Sequence, residues 1–191
     1  MKNRIITISR EFGSGGRTVG KLTAQKLNIP CYDEELIDQL VTQSGFTQEY
    51  VKEYAEYFSQ GIINAFLGRT SGLTKQDELW VLQRKIILDL AGKGSCVIVG
   101  HCADYILQDV ADCLSVFIHA DLEKRAERIV QVYGEREIMP KERLMLKDRG
   151  RAAYCKFYTD MDWGKMRNYN VTLDSGVLGI EKCAEILTQL F

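Results

Sequence analysis

The sequence predicts an α/β fold, a parallel β-sheet with helices packed on both faces. Three observations carry that prediction. Short apolar runs alternate with helix-length segments along the whole chain, the pattern of βαβ units. Two of those runs, Ile5-Ile6-Thr7-Ile8 and Cys96-Val97-Ile98-Val99, are nearly continuous in apolar character, as strands buried on both faces must be. A glycine-rich turn follows the first run and leads directly into an amphipathic stretch.

The elements follow in order. After the strand at Ile5–Ile8, the apolar residues Val19, Leu22, Ala24 and Leu27 suit an amphipathic helix, which Pro30 stops. Cys31-Tyr32 reads as a very short second strand, and Asp33 stands where it can cap a helix from Glu34 to about Ser44. Thr47 is placed to cap a further helix to about Phe58, without a Glu or Gln three residues on to complete a capping box. Ser59 to Thr74 reads as a loop rich in Gly, Ser and Thr. A long helix is expected from Lys75 to about Lys93, ended by Gly94. Cys96–Val99 and Leu114–Ile118 are strands, the second followed by a helix from Asp121 that carries Arg125 and Arg128. Pro140 opens a charged helix running past Arg151, Val171-Thr172-Leu173 is the last strand, and Ile180 to Leu190 a terminal helix. In such sheets ligands bind beyond the carboxyl ends of the strands, so the segments after Ile8, Tyr32, Val99 and Ile118 are where a site is expected.

At 191 residues the chain is expected to form one domain, with a core large enough to need no disulfide or metal. A formal net charge of −1 argues against bulk attraction to nucleic acid or an anionic membrane, so an anion site must be local. The cysteines Cys31, Cys96, Cys102, Cys113, Cys155 and Cys183 include no C-x-x-C pair, which reads as free thiols in a reducing compartment. The first apolar run is too short for a signal-peptide core or a membrane span, and the expected location is the cytoplasm.

The glycine-rich turn is Gly13-Ser14-Gly15-Gly16-Arg17-Thr18, between strand and helix. That is the setting of a P-loop, in which backbone N–H groups converge on a phosphate and the helix adds its positive N-terminal end. A cation beside the last glycine reaches the outer phosphates and a hydroxyl supports Mg²⁺; Arg17 and Thr18 hold those places. Against the pattern G-x-x-x-x-G-K-[ST], Glu11 replaces the first glycine and Arg17 the lysine, the latter exchanging a point charge for a planar donor. The bland alternative is a βα turn that binds nothing.

Several ordered stretches together resemble the cytidylate-kinase-like family of P-loop proteins, over nearly the whole chain. They are Ile6 to Arg17, Tyr32-Asp33-Glu34-Glu35-Leu36-Ile37, Val97 to Leu107, Arg149-Gly150-Arg151-Ala152-Ala153-Tyr154, Trp163-Gly164 and Leu173 to Glu181. The resemblance implies a three-layer P-loop NTPase fold with a helical monophosphate-binding part and an arginine-bearing lid, about residues 134–165. It also implies phosphoryl transfer from ATP, with Mg²⁺, to a nucleoside monophosphate, CMP or dCMP first, and nucleotides as partners rather than nucleic acid or membrane. One departure stands out: the strand-end motif of the family reads Gly-Arg, and here it is Gly100-His101. Histidine is shorter and mostly neutral at pH 7, so it grips phosphate less well.

Roles follow from that chemistry. Gly13, Ser14, Gly15 and Gly16 would cradle the donor phosphates, Arg17 would meet the outer ones, and Thr18 would support the metal. Asp33 and Asp104 are candidates for the acceptor's base or sugar, with a helix cap and a solvated helix-start charge as their plain readings. His101 faces the expected cleft, or else is a packing histidine. Arg151, with Arg149 second, would close on the transferring phosphoryl group; Arg128 is a further candidate toward the phosphates. Tyr154, Phe157, Tyr158 and Trp163 read first as packing and only second as a base-stacking surface. Glu11, Arg17 and His101 are also the features expected of an ATP-binding regulatory protein with little transfer activity. A kinase of a non-nucleotide acceptor is the third expectation.

Overall fold

The computed structural model describes residues 3–51, 75–131 and 140–191. Its strands are β1 (Arg4–Arg10), β2 (Cys31–Tyr32), β3 (Cys96–Val99), β4 (Asp112–His119) and β5 (Val171–Asp174). They form a single sheet in the order β2-β3-β1-β4-β5, with every pairing parallel. The helices are α1 (Gly16–Leu27), α2 (Glu34–Ser44), α3 (Lys75–Lys93), α4 (Ala103–Leu107), α5 (Leu122–Gln131), α6 (Pro140–Thr159), the single turn α7 (Ser175–Leu178) and α8 (Ile180–Leu190).

Side-chain alternation sorts the core into two layers. Ile6 and Ile8 of β1, Val97 and Val99 of β3 and Val116 and Ile118 of β4 face one side, where they pack with Val19 and Ala24 of α1 and Ala184 and Leu187 of α8. Ile5, Cys96 and Ile98 face the other, against Leu36 and Leu40 of α2, Ile86 and Leu90 of α3 and Leu107 of α4. Each fully buried branched residue here contributes about 1.5–3 kcal/mol by leaving water, so the double-sided burial predicted from the apolar runs is the main source of sheet stability.

Local chemistry sets the element ends. Asn28 closes α1 in the left-handed region at φ 53°, its N–H meeting carbonyls of the last turn, so the helix stops two residues before Pro30. Thr47 does cap the helix that opens after it, its Oγ1 accepting the N–H of Tyr50 at 3.3 Å. The continuation of that helix to Phe58, the Ser59–Thr74 segment and residues 134–139 of the expected lid lie outside the described residues. Asp33 occupies the N-cap position of α2 but makes no capping hydrogen bond with its side chain. Chain crossovers run to one side of β1 through β2 and β3 and to the other through β4 and β5, which opens a crevice at the carboxyl end of β1.

Candidate active site

The turn after β1 is fixed mainly by its backbone. Gly15 sits at φ 80°, where an L side chain is strained, and a Cβ there would come within 2.3 Å of Ile180 Cδ1, so glycine suits that bend. Ser14 Oγ donates to the Glu11 carbonyl at 2.9 Å, and Ser175 Oγ donates to the Ser14 carbonyl. Arg128 Nη1 donates to the Gly13 carbonyl at 3.1 Å. Glu11, the departure from the P-loop pattern, is a brace: its carboxylate accepts the Ala120 N–H at 3.1 Å and pairs with Arg125 Nε at 3.4 Å. Nothing about that backbone position requires glycine, since Glu11 is not among the residues with positive φ.

Helix α6 lies across this loop. Asp148 Oδ1 accepts the Phe12 N–H at 2.7 Å, and its Oδ2 meets Arg125 Nη1 at 2.5 Å. Arg143, Lys147 and Arg151 repeat every four residues and so share one stripe of the helix. All three stand over the Phe12 ring, at 5.5, 5.4 and 5.5 Å from its centroid, within cation–π range. Together with Gly13, Gly15, Gly16, Arg10 and Arg17 they line a cavity of 350 Å³.

A second cavity of 550 Å³ opens on the other side of the arginines, lined by Asp33, Asp38, His101, Asp104, Tyr154 and Trp163 among others. Arg10, Arg17 and Arg151 line both cavities. Asp33, almost fully buried, faces two of them: Arg17 Nε lies 2.5 Å from its Oδ2 and Arg10 Nη2 3.8 Å from its Oδ1. That explains the missing cap, because the carboxylate turns toward the cations instead. Arg151 Nη1 donates to the Arg10 carbonyl at 3.0 Å. Gly100, at φ 82°, leaves room for Arg10: a Cβ there would fall 2.0 Å from Arg10 Nη1.

His101, itself at φ 59°, is held by Gln83. The Gln83 amide nitrogen donates to the His101 carbonyl at 3.0 Å and to the Tyr154 hydroxyl at 2.8 Å, and its Oε1 lies 3.1 Å from His101 Nδ1. With the amide nitrogen already donating twice, Oε1 accepts from Nδ1–H and leaves Nε2 as an acceptor. Burial, followed by the charges of Arg10, Arg151 and Arg17, lowers the His101 pKa to about 3. The ring is therefore neutral at pH 7. Asp104, in the first turn of α4, has its pKa raised by burial, partly offset by backbone N–H groups at Tyr105 and Asp104.

The structure thus gathers Gly13, Gly15, Gly16, Arg17, Arg151, Asp33, His101 and Asp104 around two adjoining cavities. Ser14 and Arg128 support the loop from behind, and the exposed Thr18 and Arg149 line neither cavity. Sequence reasoning missed Arg10, Phe12, Gln83 and the positions of Arg143 and Lys147. Of these the 143-147-151 spacing was the readable signal; Gln83 comes from a helix remote in sequence and left none. Of the aromatic group, Tyr158 stacks on Trp80 at 4.4 Å as packing, whereas Tyr154 and Trp163 reach the larger cavity.

A parallel sheet flanked by helices, with a glycine turn after β1 facing a helix stripe of cations, defines a P-loop kinase fold. The chain matches the cytidylate kinase-like family over residues 5–177, and it belongs to that family. It is 27% identical over 184 residues to a cytidylate kinase of Archaeoglobus fulgidus, covering 95% of this chain and 91% of that one. Among solved structures it is similar to an uncharacterized protein of Eubacterium ventriosum, with a TM-score of 0.72 and 29% identity over 97% of this chain and 96% of the other. It also superposes on a shikimate kinase of Acinetobacter baumannii with a TM-score of 0.54 at 12% identity, over 100% of this chain and 93% of that one. Family membership supports phosphoryl transfer as the chemistry. No described helix is long and apolar enough to cross a membrane.

Proposed function

We propose that the protein transfers the terminal phosphoryl group of ATP to a nucleoside monophosphate, with CMP or dCMP as acceptor. The observation that carries this reading is the junction of the two cavities at Arg10, Arg17 and Arg151. A phosphoryl group passing from donor to acceptor must cross such a junction, and its equatorial charge needs cations there. The smaller cavity suits a polyphosphate: its lining is glycine backbone and cations, and its one carboxylate, Glu11, is already engaged by Ala120 and Arg125. The larger cavity, with carboxylates, a neutral histidine and an indole, suits a base and sugar.

In this reading Gly13 to Gly16 cradle the donor phosphates, Arg17 and Arg10 hold the acceptor phosphate beside Asp33, and Arg151 bridges both. Asp33, Asp104 and His101 Nε2 offer hydrogen-bond partners to the acceptor's polar edges, and Trp163 a face for its base. The acceptor's phosphate oxygen is the nucleophile and is already anionic at pH 7, so positioning and charge neutralisation suffice. Magnesium would neutralise the phosphates. Among the described residues no cluster of three or more His, Cys, Asp or Glu could hold the ion. It fits best as a metal that arrives on the nucleotide with its waters, and Thr18, exposed and lining neither cavity, would have to turn inward to reach it.

The test is ADP release from Mg-ATP by the purified protein, against all nucleoside monophosphates and a no-acceptor control. Stimulation by CMP or dCMP alone supports the reading. Silence across the panel, with Mg-ATP still raising the melting temperature, would replace it with a kinase of a non-nucleotide acceptor or an ATP-binding regulatory protein.

A further inference from the structure

We propose that Gln83 is a positioning residue for substrate choice: it fixes the His101 ring so that Nε2 only accepts, and the molecule in the larger cavity must present an N–H or O–H donor there. This rests on the reading of the larger cavity as the site of the phosphoryl acceptor.

The polarity is set by one backbone carbonyl. The His101 C=O can only accept, so the end of the Gln83 amide that lies 3.0 Å from it must be the nitrogen. The same nitrogen donates to the Tyr154 hydroxyl at 2.8 Å. That orientation leaves Gln83 Oε1 to face His101 Nδ1 at 3.1 Å. Two lone pairs cannot share such a contact, so Nδ1 carries the ring proton and Nε2 the lone pair. The ring does not escape by taking a second proton, because burial and the charges of Arg10, Arg151 and Arg17 lower its pKa to about 3.

Gln83 itself is fully buried and lines neither cavity, whereas His101 lines the larger one. With its Nδ1 edge turned to Gln83, the ring has Nε2 left for the cavity. Among the described residues Nε2 makes no hydrogen bond, yet it is not one of the sealed polar atoms that lack a partner, so it is open to a ligand. Asp38 and Asp104 line the same cavity, and ionised carboxylates are acceptors too. A bound molecule offering only acceptors would set lone pair against lone pair, and one offering a donor is favoured. A nucleoside monophosphate carries two kinds of donor, the exocyclic amine of its base and the hydroxyls of its sugar.

The test pairs a spectroscopic readout with kinetics on the full chain. The protein has two histidines, so nitrogen-15 NMR of histidine-labelled protein resolves both rings, and the signal lost in His101→Asn assigns its own. At pH 7 the wild-type His101 ring should be neutral with its proton on Nδ1. Gln83→Met, which keeps the length of the side chain but not its polarity, should move the proton toward Nε2. It should raise the acceptor KM several-fold and leave kcat within about twofold. Gln83→Glu, which retains an oxygen for Nδ1–H, should restore the tautomer in part. Wild-type KM for CMP is then compared with that for UMP, whose carbonyl replaces the amine, and for 2′-deoxy- and 3′-deoxy-CMP, which each lack one hydroxyl. At least one analogue should show a KM about tenfold higher, and Gln83→Met should narrow that gap. A rise with UMP places Nε2 at the base amine, a rise with a deoxy compound at the sugar. A wild-type ring protonated on Nε2 overturns the proposal, as does an equal KM for all these nucleotides, and both tests stand even where Gln83→Met does not fold. Weaker binding by a folded Gln83→Met with tautomer and gap unchanged would mark Gln83 as a packing residue and overturn it too. If no nucleoside monophosphate is phosphorylated, the acceptor reading falls and takes this inference with it. Phosphorylation of CMP by a protein whose His101 proton sits on Nε2 sinks only the inference.

Discussion

The two cavities that meet at Arg10, Arg17 and Arg151 are built on opposite plans. The smaller one is a backbone turn roofed by a helix stripe of cations, with a single carboxylate turned into the structure. The larger one mixes carboxylates, a neutral histidine, aromatic rings and a glutamine-anchored network from α2, α3, α4 and α6. A site for a polyphosphate needs only convergent positive charge, which one local motif and one helix face supply. A site for a particular acceptor needs shape and directed hydrogen bonds, which only distant segments brought together provide. The shared arginines are where general grip and specific recognition must cooperate, and variants there should have the largest effects.

Arg151→Ala is therefore expected to be the most damaging change. It lines both cavities and donates to the Arg10 carbonyl, so in the proposed reading its loss removes charge from the transfer point. Turnover should fall by roughly 10²–10³-fold, with folding intact by circular dichroism and melting temperature. Full turnover in a folded Arg151→Ala would mean that the cavity junction is not the transfer point.

Gly100→Ala acts mainly on the larger cavity, which Gly100 itself lines. The added methyl would land 2.0 Å from Arg10 Nη1 at a backbone angle of φ 82°. The arginine can swing away, but the left-handed strain stays and costs about 1–2 kcal/mol. The expected outcome is a several-fold rise in acceptor KM, a small loss of stability and little change in Mg-ATP affinity. Equal losses on donor and acceptor would erase the distinction between the cavities.

The same contrast accounts for what the sequence made legible. The strands were readable because burial on both faces leaves continuous apolar runs, as at Ile5–Ile8 and Cys96–Val99. The glycine turn after β1 was readable because its bends favour glycine locally, as at Gly15. Strand order was not, since nothing in the sequence says on which side of β1 a crossover returns. On the acceptor side Asp33 looked as much like a helix cap as a functional group, and only the approach of Arg10 and Arg17 decided its direction. His101 looked like a weakened arginine; burial beside Arg10, Arg151 and Arg17 keeps it neutral instead, and Gln83, eighteen residues earlier, leaves Nε2 as the acceptor.

His101 gives the comparison a pH signature. Its pKa is about 3 in the folded protein and about 6.5 in an unfolded chain. Between those values the unfolded chain binds a proton that the native state refuses. The stability this group contributes is complete above about pH 6.5 and is lost as pH falls toward 3, by at most about 1.4 kcal/mol per pH unit. His101→Asn, which tolerates the left-handed backbone, should flatten the stability profile between pH 6.5 and 4 in denaturant titrations. Identical slopes would show that the ring titrates normally and that burial beside the arginines does not hold it neutral.

The smallest effect is expected at Arg149. It belongs to the same Arg-Gly-Arg stretch as Arg151, and the sequence ranked it second to that residue. On a helix, residues two apart point to different faces. Arg151 falls on the stripe with Arg143 and Lys147 over Phe12, and Arg149 falls on the exposed side, lining neither cavity. Arg149→Ala should leave kcat, both KM values and stability within about twofold of wild type, as substitutions on open surface usually do. A large fall in kcat with unchanged Mg-ATP affinity would mean that α6 rotates on closing to bring Arg149 over the junction. The stripe seen here would then be the resting face of α6 rather than its working face.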